Sequence, residues 1–233
     1  MIRALIFDFD GLILDTETPM YESWTEIYRE AGLIVTEAQW AKLLGSSADP
    51  VEAYELLEAH LQRPLDRALL RERRRKRELE LLAKERVPTG VRELIEQGRK
   101  CGLRLAVASS SDRGWVHELL QRHGLMTSFD VIVCAEDVRR TKPSPDLYLA
   151  ALRMLNVCPK EAVAFEDSQH GVTAAKAAGL FCVAVPNRMT RHLEFPEADR
   201  VVSCLLGRTL REYVEAATPS SETPPEDAPR AAI

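Results

Sequence analysis

Long hydrophobic runs, paired cysteines, an excess of basic residues and internal repeats are all missing from this sequence of 233 residues. No stretch approaches the ~20 apolar residues that span a bilayer. The first apolar run is cut by Asp8 and Asp10, too early for a secretory leader with a small-residue cleavage site. A cytoplasmic protein without a membrane partner is expected. The five cysteines, Cys101, Cys134, Cys158, Cys182 and Cys204, are odd in number, widely spaced and never arranged as Cys-x-x-Cys. That argues against a disulfide framework or a zinc site and leaves them as small hydrophobes. A formal net charge of −5 argues against a nucleic-acid surface, which favours a basic face. A small anionic substrate needs only a local positive pocket. What remains is 45% hydrophobic and 29% charged, an ordinary soluble composition that can bury a core without staples.

Short apolar runs alternate with amphipathic stretches. Residues 2–7, 103–108, 130–134, 162–165 and 181–185 read as buried parallel strands, each bounded by turn or polar residues. The helical patterns over 91–101, 115–123 and 172–178 end at Gly102, Gly124 and Gly179, which suit left-handed helix caps. This alternation predicts an α/β fold with a Rossmann-like, doubly wound parallel sheet.

One region breaks the rhythm. Residues 17–87 carry helical signals and no convincing strand. Thr36 and Gln39 form a capping-box pattern, and 67–86 reads as one long charged helix. Pro88 and Gly90 then reset the chain. About seventy residues is too long for a crossover, so 17–87 is expected to be an inserted helical domain. The core would be 1–16 and 88–217, and the proline-rich 218–233 a disordered tail. Arg71, Arg73, Arg74, Arg75, Lys76 and Arg77 form a basic cluster. It reads as a solvated helix face, with Glu72, Glu78 and Glu80 at pairing distance.

The chemistry gathers where strands end, the position at which open α/β sheets bind ligands. Asp8 and Asp10, with one spacer, repel each other unless a cation lies near; Mg²⁺ favours such carboxylate oxygens. Gly11 permits a sharp turn and close backbone approach. Ser109, Ser110 and Ser111 end the second strand, where hydroxyls and amides can hold phosphate oxygens or cap the next helix; Ser111 could cap while Ser109 binds. Lys142 precedes Pro143 and reads as a positional charge or a surface lysine. Glu166 and Asp167 end the fourth strand as a second carboxylate pair, with Asp167 or Ser168 as alternative helix caps. Carboxylates, hydroxyl, lysine and carboxylates, in that order, are the inventory of phosphoryl transfer through an aspartate.

Together, Asp8-Phe9-Asp10-Gly11 with Asp15-Thr16-Glu17, Ser109, Lys142-Pro143 and Glu166-Asp167-Ser168 with Gly171 resemble the haloacid dehalogenase (HAD) superfamily. The similarity runs from residue 1 to about 215, and the subgroup is that of β-phosphoglucomutase and sugar-phosphate phosphatases. The resemblance implies that Asp8 attacks phosphorus and Asp10 is the acid and base. Ser109, the Ser110 backbone and Lys142 would hold the phosphoryl group. Asp8, the Asp10 carbonyl and Asp167 would bind Mg²⁺, with Glu166 a further or outer ligand. Gly11, Thr16 and the loop Gly45, Ser46 and Ser47 join the expected phosphate or substrate contacts. The insert would be a cap hinged near 14–18 and 87–90.

The implied activity is Mg²⁺-dependent hydrolysis of a small phosphorylated metabolite, a sugar phosphate by analogy, by a monomer. A phosphosugar mutase is the nearest alternative. Its hinge histidine and cap arginine align with Met20 and Ala48, which neither donate nor carry charge. Carbon–halogen hydrolases and phosphonatases replace the second aspartate, so Asp10 argues against them. A phospho-aspartate signalling or binding module would be about half as long and would lack the insert. His170 is expected to face outward on a first helical turn and is not counted among the ligands.

Overall fold

The computed structural model describes residues 1–43 and 51–218, with the side chains of 41–43 excepted. Gly45, Ser46, Ser47 and Ala48 lie outside the described residues, as does the tail from 219 onward. The chain begins with β1 (Ala4–Phe7), then α1 (Glu17–Glu30), α2 (Glu37–Leu43), α3 (Val51–Leu61) and α4 (Arg67–Leu82). Next come α5 (Thr89–Lys100), β2 (Arg104–Ala108), α6 (Arg113–Arg122), β3 (Val131–Val133) and α7 (Asp146–Leu155). It closes with β4 (Ala162–Glu166), α8 (Gln169–Ala177), β5 (Phe181–Ala184), β6 (Arg200–Val201) and α9 (Leu210–Ala217).

The six strands form one sheet in the order β3-β2-β1-β4-β5-β6, with every pairing parallel. β1 is central because its residues bury both faces. Leu5 and Phe7 point into one apolar cluster, with Leu105, Val107, Val163 and Phe165. Ala4 and Ile6 point into the other, where most of the sheet's side chains are alanine: Ala106, Ala108, Ala162, Ala164 and Ala184, beside Val133 and Cys182. Small residues on that face let α7 and α8 lie close to the backbone. Gly102, Gly124 and Gly179 all take positive φ, as their helix-ending positions require. β6 has no counterpart in the sequence reading: two residues, Arg200 and Val201, carry no periodicity.

Among the described residues, the regular elements between β1 and α5 are the helices α1 to α4, joined by loops and turns, and they have an apolar cluster of their own. Trp24, Tyr28, Trp40, Tyr54 and Leu57 are buried together there, and Met189, from the loop after β5, joins them. Thr36 and Gln39 do form the reciprocal cap that opens α2. α4 ends at Leu82, earlier than its charge pattern suggested.

The basic cluster is a solvated face only in part: Arg71, Arg73 and Lys76 are exposed, and Arg75 and Arg77 are half-buried. Arg74 and Glu78 are buried and joined at 2.8 Å. Arg77 reaches Glu26 of α1 at 2.8 Å, and Arg73 reaches Glu30. Helical charge periodicity marks which residues share a stripe, but not whether a second helix lies over it. Here α1 does.

Candidate active site

The site lies beyond the carboxyl ends of β1, β2 and β4, around a cavity of about 580 Å³. β1 runs straight into Asp8, which is buried, with its amide donating to the Phe165 carbonyl at 2.9 Å. Gly11 then turns the chain at φ 84°, and a Cβ there would collide with the Asp167 carboxylate. That collision, together with the positive φ, is why glycine occupies the position.

Lys142 is buried and forms ion pairs with Asp8 and, at 2.6 Å, with Glu166. Burial alone would lower its pKa. Asp8 and Glu166 outweigh that effect and hold it well above the usual lysine value, so it stays charged. Glu166 is fully enclosed. Its Oε1 accepts from Tyr148 at 2.6 Å, and its Oε2 from the Asp167 amide and the Ser168 hydroxyl, each at 3.2 Å. Gly171 leaves the room this carboxylate fills. Ser168 caps α8 by accepting from the Gly171 amide at 3.1 Å, which leaves Asp167 free to face the site.

Asp8, Glu166 and Asp167 each offer an oxygen within 4.8 Å of the others, a group able to hold a metal ion. Three buried carboxylates against one ammonium leave negative charge uncompensated. Burial raises the pKa of Asp8 to about 8, against the pull of Lys142 and helped by Glu166 and Asp10. Burial, with Glu17 and Asp8 nearby, pushes Asp167 well up too. The donor set is all oxygen, which suits a hard divalent cation, and such a cation would relieve this strain.

Asp10 stands apart from that group. Its Oδ1 accepts from the Thr16 hydroxyl and the Trp115 indole, both at 2.9 Å. Its Oδ2 accepts from the Ser111 hydroxyl at 2.7 Å and from Ser109 at 3.3 Å. Ser111 therefore does not cap the next helix. Asp112 does, accepting from the Trp115 amide at 2.8 Å. Ser109 is wholly buried and also accepts from the Ser111 amide, whereas Ser110 lines the cavity. Met20 lines the cavity, and His170 is exposed at its rim.

Three participants were given no role by the sequence, although Glu17 belongs to the Asp15-Thr16-Glu17 motif. Asn187, after β5, donates to Asp167 at 2.7 Å, to Glu17 at 3.1 Å and to the Gly11 carbonyl at 3.2 Å. Its own carbonyl is held by the Met189 and Thr190 amides. Glu17 faces the same cluster, and burial raises its pKa to about 7. Trp115 is the third. An asparagine in a loop and a tryptophan in a first helical turn carry no chemical signature alone. Asn187 and Glu17 could have been suspected only from the polar run around Pro186 and the Asp15-Thr16-Glu17 motif.

A doubly wound sheet with a lysine-bridged carboxylate pair, a separate acid and hydroxyls at its strand ends defines a hydrolase of phosphate esters. Residues 5–185 match the family described as haloacid dehalogenase-like hydrolase, and the chain belongs to that family. Bacillus subtilis (strain 168) YhcW is 44% identical over 199 residues, covering 85% of this chain and 90% of YhcW. The phosphorylated carbohydrates phosphatase of Thermotoga maritima is 35% identical, covering 77% and 82%. A crystal structure of a CbbY mutant from Rhodobacter sphaeroides in complex with xylulose-(1,5)bisphosphate is 33% identical. It covers 88% of this chain and 95% of that one, with a TM-score of 0.69. No described helix is long and apolar enough to cross a membrane.

The carboxylate crowding has a pH signature. Asp8, Glu17 and Asp167 have folded pKa values above their unfolded ones, so folding takes up protons. Their stabilising share is complete below about pH 4 and is lost as pH rises through the folded values, about 7 for Glu17, about 8 for Asp8 and a well-raised one for Asp167. A bound cation displaces those protons. Added Mg²⁺ is therefore expected to raise the melting temperature more near pH 8 than near pH 5. Melting curves with Mg²⁺ or EDTA check this; equal gains at both pH values would remove the cation from this cluster.

Proposed function

We propose that this protein is a Mg²⁺-dependent phosphatase of small phosphorylated metabolites that works through an aspartyl-phosphate on Asp8. The observation that carries this reading is the buried Asp8 carboxylate, paired with Lys142 and set among Glu166 and Asp167 in the same cavity that Asp10 lines. An Asp8 oxygen attacks phosphorus and the ester oxygen leaves, taking a proton from Asp10. Asp10 then draws a proton from water as the water oxygen attacks the aspartyl-phosphate, which frees phosphate and restores Asp8.

Lys142 meets the phosphoryl oxygens and steadies Asp8, while Ser109 and the Ser110 amide receive the remaining oxygens. Asp8, the Asp10 carbonyl and Asp167 would hold the cation. Glu166, whose oxygens also meet Tyr148, Lys142 and Ser168, would be a further or outer ligand and fixes Lys142 in place. When bound, Mg²⁺ offsets the charge of phosphate and carboxylates. Gly11 and Thr16 shape the turn beneath the phosphate.

The substrate reading is a sugar phosphate. It is supported by the relative named for phosphorylated carbohydrates and by the bisphosphate held by CbbY. Residues 17–87 act as a cap over residues 1–16 and 88–217, hinged near 14–18 and 87–90, with Gly45, Ser46 and Ser47 reading the substrate. The working form is a cytoplasmic monomer without a nucleic-acid or membrane partner.

The test is phosphate release across phosphorylated metabolites with Mg²⁺, using Asp8→Asn as the blank. No Mg²⁺-dependent turnover on any of them would sink the reading. Transfer of label from a bisphosphate to a second sugar, in place of phosphate release, would favour the mutase alternative, which Met20 in the cavity wall disfavours. Asp10→Asn is expected to slow formation and breakdown of the intermediate by about 10²-fold or more each. Single-turnover measurements check both steps, and unchanged rates would remove its acid–base role.

A further inference from the structure

Trp115 joins two parts of the molecule that the chain keeps far apart. Its place in the first turn of α6 is fixed by the Asp112 cap, and its half-buried ring projects between the cavity and the helical insert. On the cavity side its indole N–H donates to Asp10 at 2.9 Å. On the other side the Arg75 guanidinium of α4 lies 4.2 Å from the ring centroid, within reach of a cation–π contact. Arg75 is itself directed by Glu78, at 3.0 Å, and Glu78 is buried against Arg74. A continuous chain of contacts therefore runs from the interior of the insert to the carboxylate of Asp10.

We propose that Trp115 is the positioning residue for Asp10, and that Arg75 seats its ring from the insert, so that the alignment of Asp10 depends on where α4 lies. This rests on the reading of Asp10 as acid and base. The choice of side chain fits the task. An indole N–H donates and cannot accept, so it orients a carboxylate without competing for the proton that the carboxylate transfers. The other partners of Asp10, Thr16, Ser109 and Ser111, are hydroxyls and lack that restriction. Proton balance is unchanged: Asp10 gives its proton to the ester oxygen as the phosphorus–oxygen bond breaks and regains one from water, while the indole keeps its own.

The test uses two esters that differ in their need for that proton. p-Nitrophenolate leaves without protonation, whereas the alkoxide of glycerol 2-phosphate does not. Trp115→Phe keeps the ring for Arg75 and removes the N–H. It is expected to lower kcat/KM for glycerol 2-phosphate about tenfold, with less than about twofold loss for p-nitrophenyl phosphate. Arg75→Met leaves the N–H in place and should produce the same selective loss in smaller measure. In an Asp10→Asn background, Trp115→Phe should add nothing.

Equal losses on both esters, or a full additional loss in the Asp10→Asn background, would overturn the assignment. A selective effect of Asp10→Asn without one of Trp115→Phe overturns the Trp115 assignment alone. If Asp10→Asn leaves both esters untouched, the acid–base reading of Asp10 fails, and the positioning role fails with it.

Discussion

Asp8→Asn is expected to reduce Mg²⁺-dependent phosphate release by about 10⁴-fold or more while leaving the protein folded. An amide oxygen is a poor nucleophile, and no other described carboxylate shares its position at the end of the central strand. Glu166 and Asp167 end the neighbouring strand β4, Glu166 is enclosed by its own partners, and Asp10 is held by four donors. The fold should survive because asparagine keeps the volume and removes one of three crowded charges. Lys142 keeps Glu166 as its partner. Metal-free Asp8→Asn is therefore expected to melt no lower than the parent near pH 8 and above, where the buried Asp8 of the parent is forced to ionise. Substantial turnover by purified protein would sink the nucleophile assignment. A collapsed circular dichroism spectrum would show that Asp8 is structural first.

Lys142→Met is expected to do the opposite to stability and the same to activity. Removing the ammonium leaves Asp8, Glu166 and Asp167 without their shared counter-charge. Breaking a buried pair in this way costs about 3 kcal/mol, moderated because the carboxylates can take up protons. Activity should fall by about 10³-fold, since the phosphoryl oxygens lose their fixed charge. Adding Glu166→Gln should restore part of the stability and none of the activity. Denaturant titration and phosphate release, measured on the same preparations, separate the two effects. A Lys142→Met protein as stable as the parent would contradict the charge arrangement.

Much of this site was legible because a parallel sheet collects its functional residues at strand ends. Asp8, Lys142, Glu166 and Asp167 each follow an apolar run or sit beside a proline, and the fold converts that serial order into contact. Helix ends were legible where glycine is needed at positive φ. What escaped depended on long-range packing. Ser111 and Asp112 are both good caps, and only the approach of Asp10 decides that Asp112 caps. Arg74, Arg75 and Arg77 are neighbouring arginines with one chemistry, yet they end buried, on Trp115 and on Glu26 respectively. Asn187 reaches the carboxylates from a loop with no motif of its own.

The position of the helical insert also sets an order of assembly. β1 precedes its sheet partners in the chain: it pairs with β2 through Arg104 and with β4 through Ala162, about a hundred residues later or more. Until then Leu5, Ile6 and Phe7 have no sheet to enter. Closure entropy grows only with the logarithm of chain length, and helices packed around Trp24 and Trp40 are expected to shorten the effective loop between β1 and its partners. Removing α1 to α4 is therefore expected to slow the pairing of β1 with its two neighbours, which refolding kinetics would show.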